Sequence, residues 1–199
     1  IDGNTYEVIG LGTQVWFKQN LRTGKYRNGE VIGQNLSASA WSSTTTGACA
    51  EYSDSPVNGA KYGKLYNFHA VVDPRNVCPT GWRVPDMTDW QTLYGYLLGL
   101  SEYTGGIVKT TGTTAAGNGD WLAPNALATN STGFSVLPAG SRNRTGDYVS
   151  LGSTSNIWHR TEQPGTTEAY SVKVYSSGGF MDLGVRIDRN QGASVRCIR

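Results

Sequence analysis

The sequence predicts an α+β fold of short strands, few helices and many loops, and three observations support this class. Glycine accounts for 26 of the 199 residues, and 16% of residues are charged, against roughly 25% in an average soluble domain. Six tryptophans, eleven tyrosines and four phenylalanines are too many for a disordered chain. β-Rich runs recur, whereas a helical pattern is clear only once. We therefore expect one or two helices packed on a small, twisted, mostly antiparallel sheet.

The N-terminal segment has the pattern of a β-hairpin. Residues 5–9 and 13–17 are rich in β-branched and aromatic side chains, and the glycines within 10–12 suit a turn between them. Period-two or β-rich runs predict further strands at 133–137, 156–159, 169–175, 183–187 and 194–198.

The clearest helix begins after Pro85. Asp86 is a good N-cap residue, and Asp89 adds negative charge to the first turn. Gly99 is placed to end the helix in a left-handed conformation. Helical spacing predicts an apolar face that consists of Trp90, Leu93, Leu97 and Leu98.

The other segments are less regular. Residues 18–48 show no obvious helix, and residues 101–132 are expected to form a long loop. Residues 62–72 form an ordered block that Asp73-Pro74 ends, but so short an apolar run fits a helix and a strand equally well. No internal repeat or domain boundary is evident, so residues 1–199 are predicted to form a single domain.

Charge and hydropathy argue against two classes of protein. The net charge of +2 comes from scattered lysines and arginines, with no basic run that follows a phosphate backbone, so nucleic acid is not an expected partner. No apolar stretch approaches the roughly 20 residues that span a bilayer, so no membrane-spanning segment is expected. No signal peptide is visible, and the first residue is not methionine. A targeting segment that had been removed would leave the same appearance.

The three cysteines are Cys49, Cys78 and Cys197, so at most one internal disulfide can form. A bridge between Cys78 and Cys197 would close a loop of about 120 residues and contribute about 4–5 kcal/mol through chain entropy. The alternative is three reduced, buried thiols in a cytosolic protein.

Several stretches resemble the Fibrobacter succinogenes major paralogous domain, a family of bacterial surface and secreted modules. In chain order they are 1–6, 12–16, 20–21, 62–67, the Cys-Pro-Thr-Gly-Trp-Arg-Val-Pro motif at 78–85 with Trp90, 132–138 and 194–197. The resemblance implies a C-type-lectin-like fold, in which a helix-bearing half joins a small twisted sheet and the chain ends lie close together. It also implies the disulfide between Cys78 and Cys197, which leaves Cys49 either as a free thiol or as the partner of a group outside this sequence.

The residues argue against the calcium-dependent sugar binding that the name of this fold suggests. Calcium-binding lectins carry a Glu-Pro-Asn or Gln-Pro-Asp loop, whereas residues 162–165 read Glu-Gln-Pro-Gly and offer no carboxylate or amide after proline. The spacing of Asp147, Glu162 and Glu168 matches no calcium loop. Two histidines and three dispersed cysteines match no zinc spacing. We therefore expect no metal and no cofactor.

Support for catalysis is limited to isolated residues. His69 lies in an apolar run, where a hydrogen-bonded core histidine is the simpler interpretation than a general base, and no serine or cysteine lies in a recognisable nucleophile elbow. Cys49 has no flanking charge that would lower its thiol pKa. Formylglycine-generating-type enzymes share the implied fold, but they need a reactive cysteine pair that a Cys78–Cys197 bridge would remove.

A surface that combines planar rings with directional polar groups is the positive candidate for function, because such surfaces stack sugars or hold peptide side chains. The predicted ligand-binding residues are Arg142, Asn143, Arg144, Trp158, His159, Arg160 and Glu162. The alternative is that Trp158 belongs to the sheet core and that the arginines are solvated.

These observations predict an exported recognition or adhesion module, at a bacterial cell surface or secreted, for instance as a lipoprotein. Its expected partner is a surface glycan or a protein ligand, bound without catalysis, and a larger surface chain or assembly is an expected context. The first alternative is a structural component of such an assembly with no small-ligand site. The second alternative is an enzyme on a formylglycine-generating-type scaffold.

Overall fold

The computed structural model describes residues 2–199, so Ile1, the first residue of the matching stretch 1–6, lies outside the described residues. Within this range the helices are α1 Ala38–Ser43, α2 Pro56–Tyr62, α3 Phe68–Val72 and α4 Met87–Leu98, with a 3₁₀ turn at Tyr52–Asp54. The strands are β1 Val8–Leu11, β2 Gln14–Phe17, β3 Cys49–Glu51, β4 Lys64–Tyr66, β5 Ser141–Arg142, β6 Tyr148–Val149, β7 Thr154–Glu162, β8 Glu168–Tyr175 and β9 Met181–Asp188. The α+β class is confirmed, with more helices than the one or two expected.

The strands form several small antiparallel sheets. β1 pairs with β2, β3 with β4, and β5 with β6, while β7, β8 and β9 form a three-stranded sheet in that order. The N-terminal hairpin and the three longer strands of the C-terminal half agree with the sequence prediction. The single sheet that we expected is instead divided into small sheets, because most strands are only two to four residues long.

The C-terminal segment 194–198 lies against the N-terminal hairpin. The Phe17 amide donates a hydrogen bond to the Cys197 carbonyl at 3.0 Å, and Ile198 forms an isolated antiparallel bridge with Trp16. The strand predicted at 194–198 is therefore present only as isolated bridges. This contact brings the N-terminal hairpin and the C-terminal segment together.

The disulfide between Cys78 and Cys197 is confirmed, with a sequence separation of 119 residues. It lies in a hydrophobic cluster with Phe68 and Trp158, beneath β7. Cys49 is free and buried in the same cluster. A second cluster packs under α4 and centres on Trp16, Trp90, Trp121 and Phe134.

Helix α4 begins as the sequence predicts. Asp86 Oδ1 accepts a hydrogen bond from the Asp89 amide at 3.0 Å, and Asp89 Oδ2 accepts one from the Asp86 amide at 2.8 Å, which completes a capping box. Trp90, Leu93 and Leu97 are buried as predicted. Two expectations are wrong at the other end of the helix. Gly99 has a right-handed φ of −65°, and the Leu98 side chain is 48% exposed because it lies beyond the buried face.

Two other local predictions differ from the structure. Helix α1 lies in segment 18–48, where none was evident, and its N-terminus is capped by Ser37, whose hydroxyl accepts a hydrogen bond from the Ala40 amide at 3.2 Å. The strand predicted at 133–137 is absent from the described residues. Ser135 has a φ of 57° there, which interrupts an extended backbone.

The ordered block 62–72 contains both of the alternatives that its sequence allowed. Strand β4 occupies its first half and pairs with β3, and helix α3 occupies its second half. Asn67 separates the two elements, and its Oδ1 accepts hydrogen bonds from the amides of Ala48 and Ala70 at 2.9 and 3.1 Å. His69 lies in the helical half of this block, next to the end of β9.

Candidate functional site

A cleft with a volume of about 530 Å³ lies where five chain segments meet. We call it the main cleft. Its lining residues come from α1, α3, the β5–β6 turn, the β7–β8 loop and the end of β9, and they are Ser42, His69, Arg144, Thr145, Thr166, Thr167, Asp188, Arg189 and Asn190. All nine lining residues therefore have polar side chains, with hydroxyl, amide, carboxylate, guanidinium or imidazole groups.

Asn190 organises the floor of the main cleft. Its Nδ2 donates to the Ser42 carbonyl at 2.8 Å, and its Oδ1 lies 2.9 Å from Nε2 of His69. Its backbone carbonyl accepts a hydrogen bond from the Trp41 indole at 2.6 Å. Asn190 thus fixes α1 and α3 relative to the end of β9. The His69 ring is hydrogen-bonded as expected, but it is partly exposed in the cleft and does not lie in the core.

Two arginines give the cleft its positive charge. Arg189 lies over the Phe68 ring at 5.3 Å and donates from Nη2 to Glu162 Oε2 at 3.3 Å. Arg144 is the freer of the two, because its side chain is 73% exposed and its contact with Asp188 is long, at 3.9 Å. A ligand that offers oxygen atoms can therefore engage Arg144 without first displacing a close partner.

The turn that carries Arg144 is held by its own polar side chains. Asn143 Oδ1 accepts hydrogen bonds from the Thr145 hydroxyl and the Asp147 amide, both at 2.8 Å. Hydrogen bonds from Thr145 and Asn143 lower the pKa of the Asp147 carboxyl below its ordinary value. Gly146 has a φ of 92°, and a Cβ there would lie 2.5 Å from the Cα of Ala38. The turn is therefore closely seated on α1.

Arg142, two positions before Arg144, points into the interior. Its guanidinium lies 4.4 Å from the centre of the Trp41 ring and 4.9 Å from that of Tyr148. It donates to the carbonyls of Gly146 and Leu36 at 2.9 and 2.8 Å. Arg142 was predicted to touch a ligand, but it is buried and supports the turn instead.

Trp158 and His159, two further predicted binding residues, are both fully buried in β7. The Trp158 indole donates to the Tyr66 carbonyl at 2.7 Å and packs on Phe68, which agrees with the alternative interpretation of a sheet-core residue. The His159 ring stacks on Tyr170 at 5.5 Å. Neither side chain offers a free face, so the prediction of a Trp158-centred surface is not supported by their positions.

The remaining predicted residues divide between two places. Arg144 lines the main cleft, Asn143 shapes the turn beside it, and Glu162 pairs with Arg189 at its rim. Arg160 is exposed but lines a different hollow, next to Asp73 and Val84. The structure therefore brings three of the seven predicted residues together at one site.

Several cleft residues could not be predicted from the sequence. Asp188, Arg189 and Asn190 follow a predicted strand, and polar residues after a strand are common in any loop. His69 was recognised only as a hydrogen-bonded residue in an apolar run. These residues meet because β9 runs antiparallel to β8 and ends beside α3. No local sequence pattern reveals this contact.

Within residues 2–199, no three acidic, histidine or cysteine side chains are grouped closely enough to hold a metal ion. None of the described helices is long and apolar enough to cross a membrane.

The chain matches a known protein family over most of its length. The sequence model described as the Fibrobacter succinogenes major domain matches residues 9–199. No curated protein and no solved structure matches the chain.

Proposed function

The chain belongs to the Fibrobacter succinogenes major domain family, and from this premise we propose that it is a non-catalytic recognition module of a bacterial cell surface that binds a glycan in the main cleft. The domain is exported in this proposal, either displayed or secreted, and can form part of a larger surface chain. A protein ligand is the other partner class that the sequence favoured. We favour the glycan because the residues that line the main cleft have polar side chains.

The observation that carries the proposal is the chemistry of that lining. Sugars present many hydroxyls that both donate and accept hydrogen bonds, and binding sites recognise such groups with a small number of placed polar residues. The threonine and serine hydroxyls of the cleft can do both, Arg144 donates, and Asp188 accepts. Asn190 and the turn at Asn143 hold these groups in place through their own hydrogen bonds, which reduces the entropy lost on binding.

The state of the cysteines supports a role without catalysis. Cys197 is bonded to Cys78, so it is not free to form a reactive pair with Cys49. Burial raises the pKa of the Cys49 thiol to about 12, and a thiol that remains protonated at neutral pH is a poor nucleophile. We therefore favour recognition over thiol chemistry of the formylglycine-generating type.

The disulfide also supports the extracellular placement, because stable disulfides form mainly in oxidising compartments. We further propose that the fold is a variant of the C-type-lectin-like fold. The hydrogen bond between the Phe17 amide and the Cys197 carbonyl supports this proposal, since it joins the N-terminal hairpin to the C-terminal segment. The packing of α4 against β7 and β9 is in accord with it.

The experiment is a glycan-array screen of the isolated protein, with calcium and with chelator, followed by titration of the best glycan. Arg144→Ala is expected to weaken binding about tenfold, because a hydrogen bond from a charged donor contributes roughly 1.5–3 kcal/mol. Arg160→Ala is the matched control, as it removes an exposed arginine that lines a different hollow.

Saturable binding that Arg144→Ala weakens and Arg160→Ala leaves unchanged would support the proposal. A blank array in both conditions would contradict glycan recognition and favour the structural role. Binding that only the Arg160→Ala variant lost would move the site away from the main cleft.

A further inference from the structure

A second pocket lies beside the disulfide and is separate from the main cleft. It has a volume of about 380 Å³, and we call it the Trp82 pocket. Its lining residues are Arg27, Asn76, Gly81, Trp82, Arg83 and Arg199. This volume lies near the lower end of the range for small-molecule sites, roughly 300–1,000 Å³.

The Trp82 pocket has a strong excess of positive charge. Three of its lining residues are arginines, and none of the lining residues is acidic. Arg83 is the one that is neutralised, through its ion pair with Asp89. Arg27 instead donates to the carbonyls of Cys78, Pro79 and Trp82, at 3.0, 3.1 and 2.6 Å, so its charge has no carboxylate partner there.

Arg199 is the guanidinium that remains available for a ligand. It is exposed, it takes part in none of the ion pairs found within residues 2–199, and its guanidinium carbon lies 5.1 Å from the centre of the Trp82 ring. Its backbone is fixed, because the Arg199 amide donates to the Val15 carbonyl at 3.1 Å. A free guanidinium on a fixed backbone is well suited to hold a planar or tetrahedral anion with paired hydrogen bonds.

Trp82 provides an apolar surface next to these charges. Its ring is partly exposed and packs against Phe17, with ring centres 4.5 Å apart. The Trp82 amide donates to the Pro79 carbonyl at 3.0 Å, and the neighbouring disulfide fixes the chain at Cys78. The indole is thus held in place before any ligand arrives, between Phe17 and the Arg199 guanidinium, and its exposed part is the apolar contact for a sugar ring.

We propose that the Trp82 pocket binds an anionic saccharide unit. In this site Arg199 holds the acidic group of the sugar, Arg27 adds to the positive potential, and Trp82 contacts the sugar ring. The acidic group can be the carboxylate of a uronic acid or a sulfate ester, because both present oxygens that a guanidinium pairs. The site is distinct from the main cleft and does not depend on the function proposed for that cleft.

The test uses two matched pairs of polymers with the whole protein. Oligogalacturonate is compared with its methyl ester, and dextran sulfate with dextran, by calorimetric titration at low and moderate salt. We expect the charged member of at least one pair to bind at least tenfold more tightly than the neutral member, with binding that weakens as salt rises. Selective binding of oligogalacturonate identifies a uronic acid, and selective binding of dextran sulfate identifies a sulfate ester.

Variants then locate the site. Arg199→Ala should reduce affinity about tenfold and Arg199→Glu should abolish binding, whereas Arg199→Lys should retain part of it. Arg186→Ala is the control, because it removes an exposed arginine of β9 whose nearest acidic contact is Glu168 at 3.8 Å. The indole N–H signal of Trp82 should shift on titration in an NMR spectrum of the native protein.

Three results would overturn the proposal. One is that neither charged polymer binds more tightly than its neutral partner. Another is that Arg199→Ala and Arg199→Glu bind as well as the native chain. The third is that Arg144→Ala, which alters the main cleft, removes this binding while the Arg199 variants keep it. Failure of glycan binding in the main cleft alone would leave these readouts unchanged.

Discussion

Arg196 donates from Nε to Oδ1 of Asn20 at 2.9 Å, although 176 positions separate the two residues in the sequence. Both side chains are buried. The other nitrogens of Arg196 donate to the carbonyls of Phe134 and Ser135, and Asn20 Nδ2 donates to the Tyr62 carbonyl at 2.8 Å. One buried guanidinium thus connects the N-terminal, central and C-terminal parts of the chain, without a carboxylate partner among these contacts.

Replacement of Arg196 by alanine should therefore destabilise the fold strongly. It leaves Asn20, the buried Phe134 carbonyl and the partly buried Ser135 carbonyl without their donor, and it removes a side chain that packs on the Phe134 ring at 4.5 Å. We expect a loss of about 3 kcal/mol or more in the free energy of unfolding, measured by urea denaturation. Arg186→Ala, at an exposed position of β9, should change it by less than about 0.5 kcal/mol. Equal losses in the two variants would contradict the role assigned to Arg196.

The disulfide should contribute about 4–5 kcal/mol, because it closes a loop of 119 residues. Cys78→Ser with Cys197→Ser is expected to lower the midpoint of urea unfolding accordingly, and Cys49→Ser, which breaks no bridge, is the comparison variant. Thiol titration of denatured, unreduced protein should find one free thiol. Three free thiols would refute the bridge and remove its support for export.

His159 should make the fold sensitive to acid. Burial lowers the pKa of its imidazole to about 4, and neither ring nitrogen has a well-aligned hydrogen bond among the described residues. The unfolded chain takes up the proton near the ordinary pKa of about 6.5. The stabilising contribution is therefore complete above pH 6.5 and is lost as the pH falls from 6.5 towards 4, by at most about 3 kcal/mol.

His159→Phe should remove this acid sensitivity, since phenylalanine can keep the stacking on Tyr170 and does not titrate. The free energy of unfolding of the native chain should fall relative to that of the variant between pH 6.5 and 4.5. Parallel pH profiles of the two proteins would show that His159 is not held neutral in the interior.

Gly146 and Gly29 form a matched pair for the turn that carries Arg144. Their φ values are 92° and 91°, but a Cβ at Gly146 would meet Ala38 at 2.5 Å, whereas nothing lies within 4 Å of a Cβ at Gly29. Both alanine variants carry the cost of a positive φ, about 1–2 kcal/mol. In thermal denaturation, the free energy of unfolding of Gly146→Ala should be lower than that of Gly29→Ala by about 2 kcal/mol. Equal losses would mean that the turn is not closely seated on α1.

Local signals explain why some elements could be predicted from the sequence. Helix α4 carries its capping box and its apolar spacing within 13 residues, and both are visible without tertiary information. Helix α1 has one buried residue, Trp41, in a Ser/Ala-rich segment, so no apolar period marks it. The segment 133–137 alternates as a strand does, but the Ser135 amide donates to Oδ1 of Asn130, five positions earlier, at 3.0 Å, and this local turn overrides the pattern.

The binding residues were harder to predict for a physical reason. Arg142 and Arg144 are two positions apart, yet one is buried between rings and the other is 73% exposed. Composition shows that both arginines are present, but not that β5 ends at Arg142 and leaves Arg144 in the turn that follows. The cleft also depends on His69 and Asn190, which are 121 positions apart and meet only because β9 returns to α3.

The most direct test of the central claim is a crossed titration of the native chain, Arg144→Ala and Arg199→Ala with the glycan that the array identifies. We predict that Arg144→Ala weakens this binding about tenfold, because the variant loses the free guanidinium of the main cleft. Arg199→Ala should bind that glycan as tightly as the native chain if the glycan is neutral. Undiminished affinity in Arg144→Ala, with unchanged thermal stability, would contradict the assignment of the main cleft as the glycan-binding site.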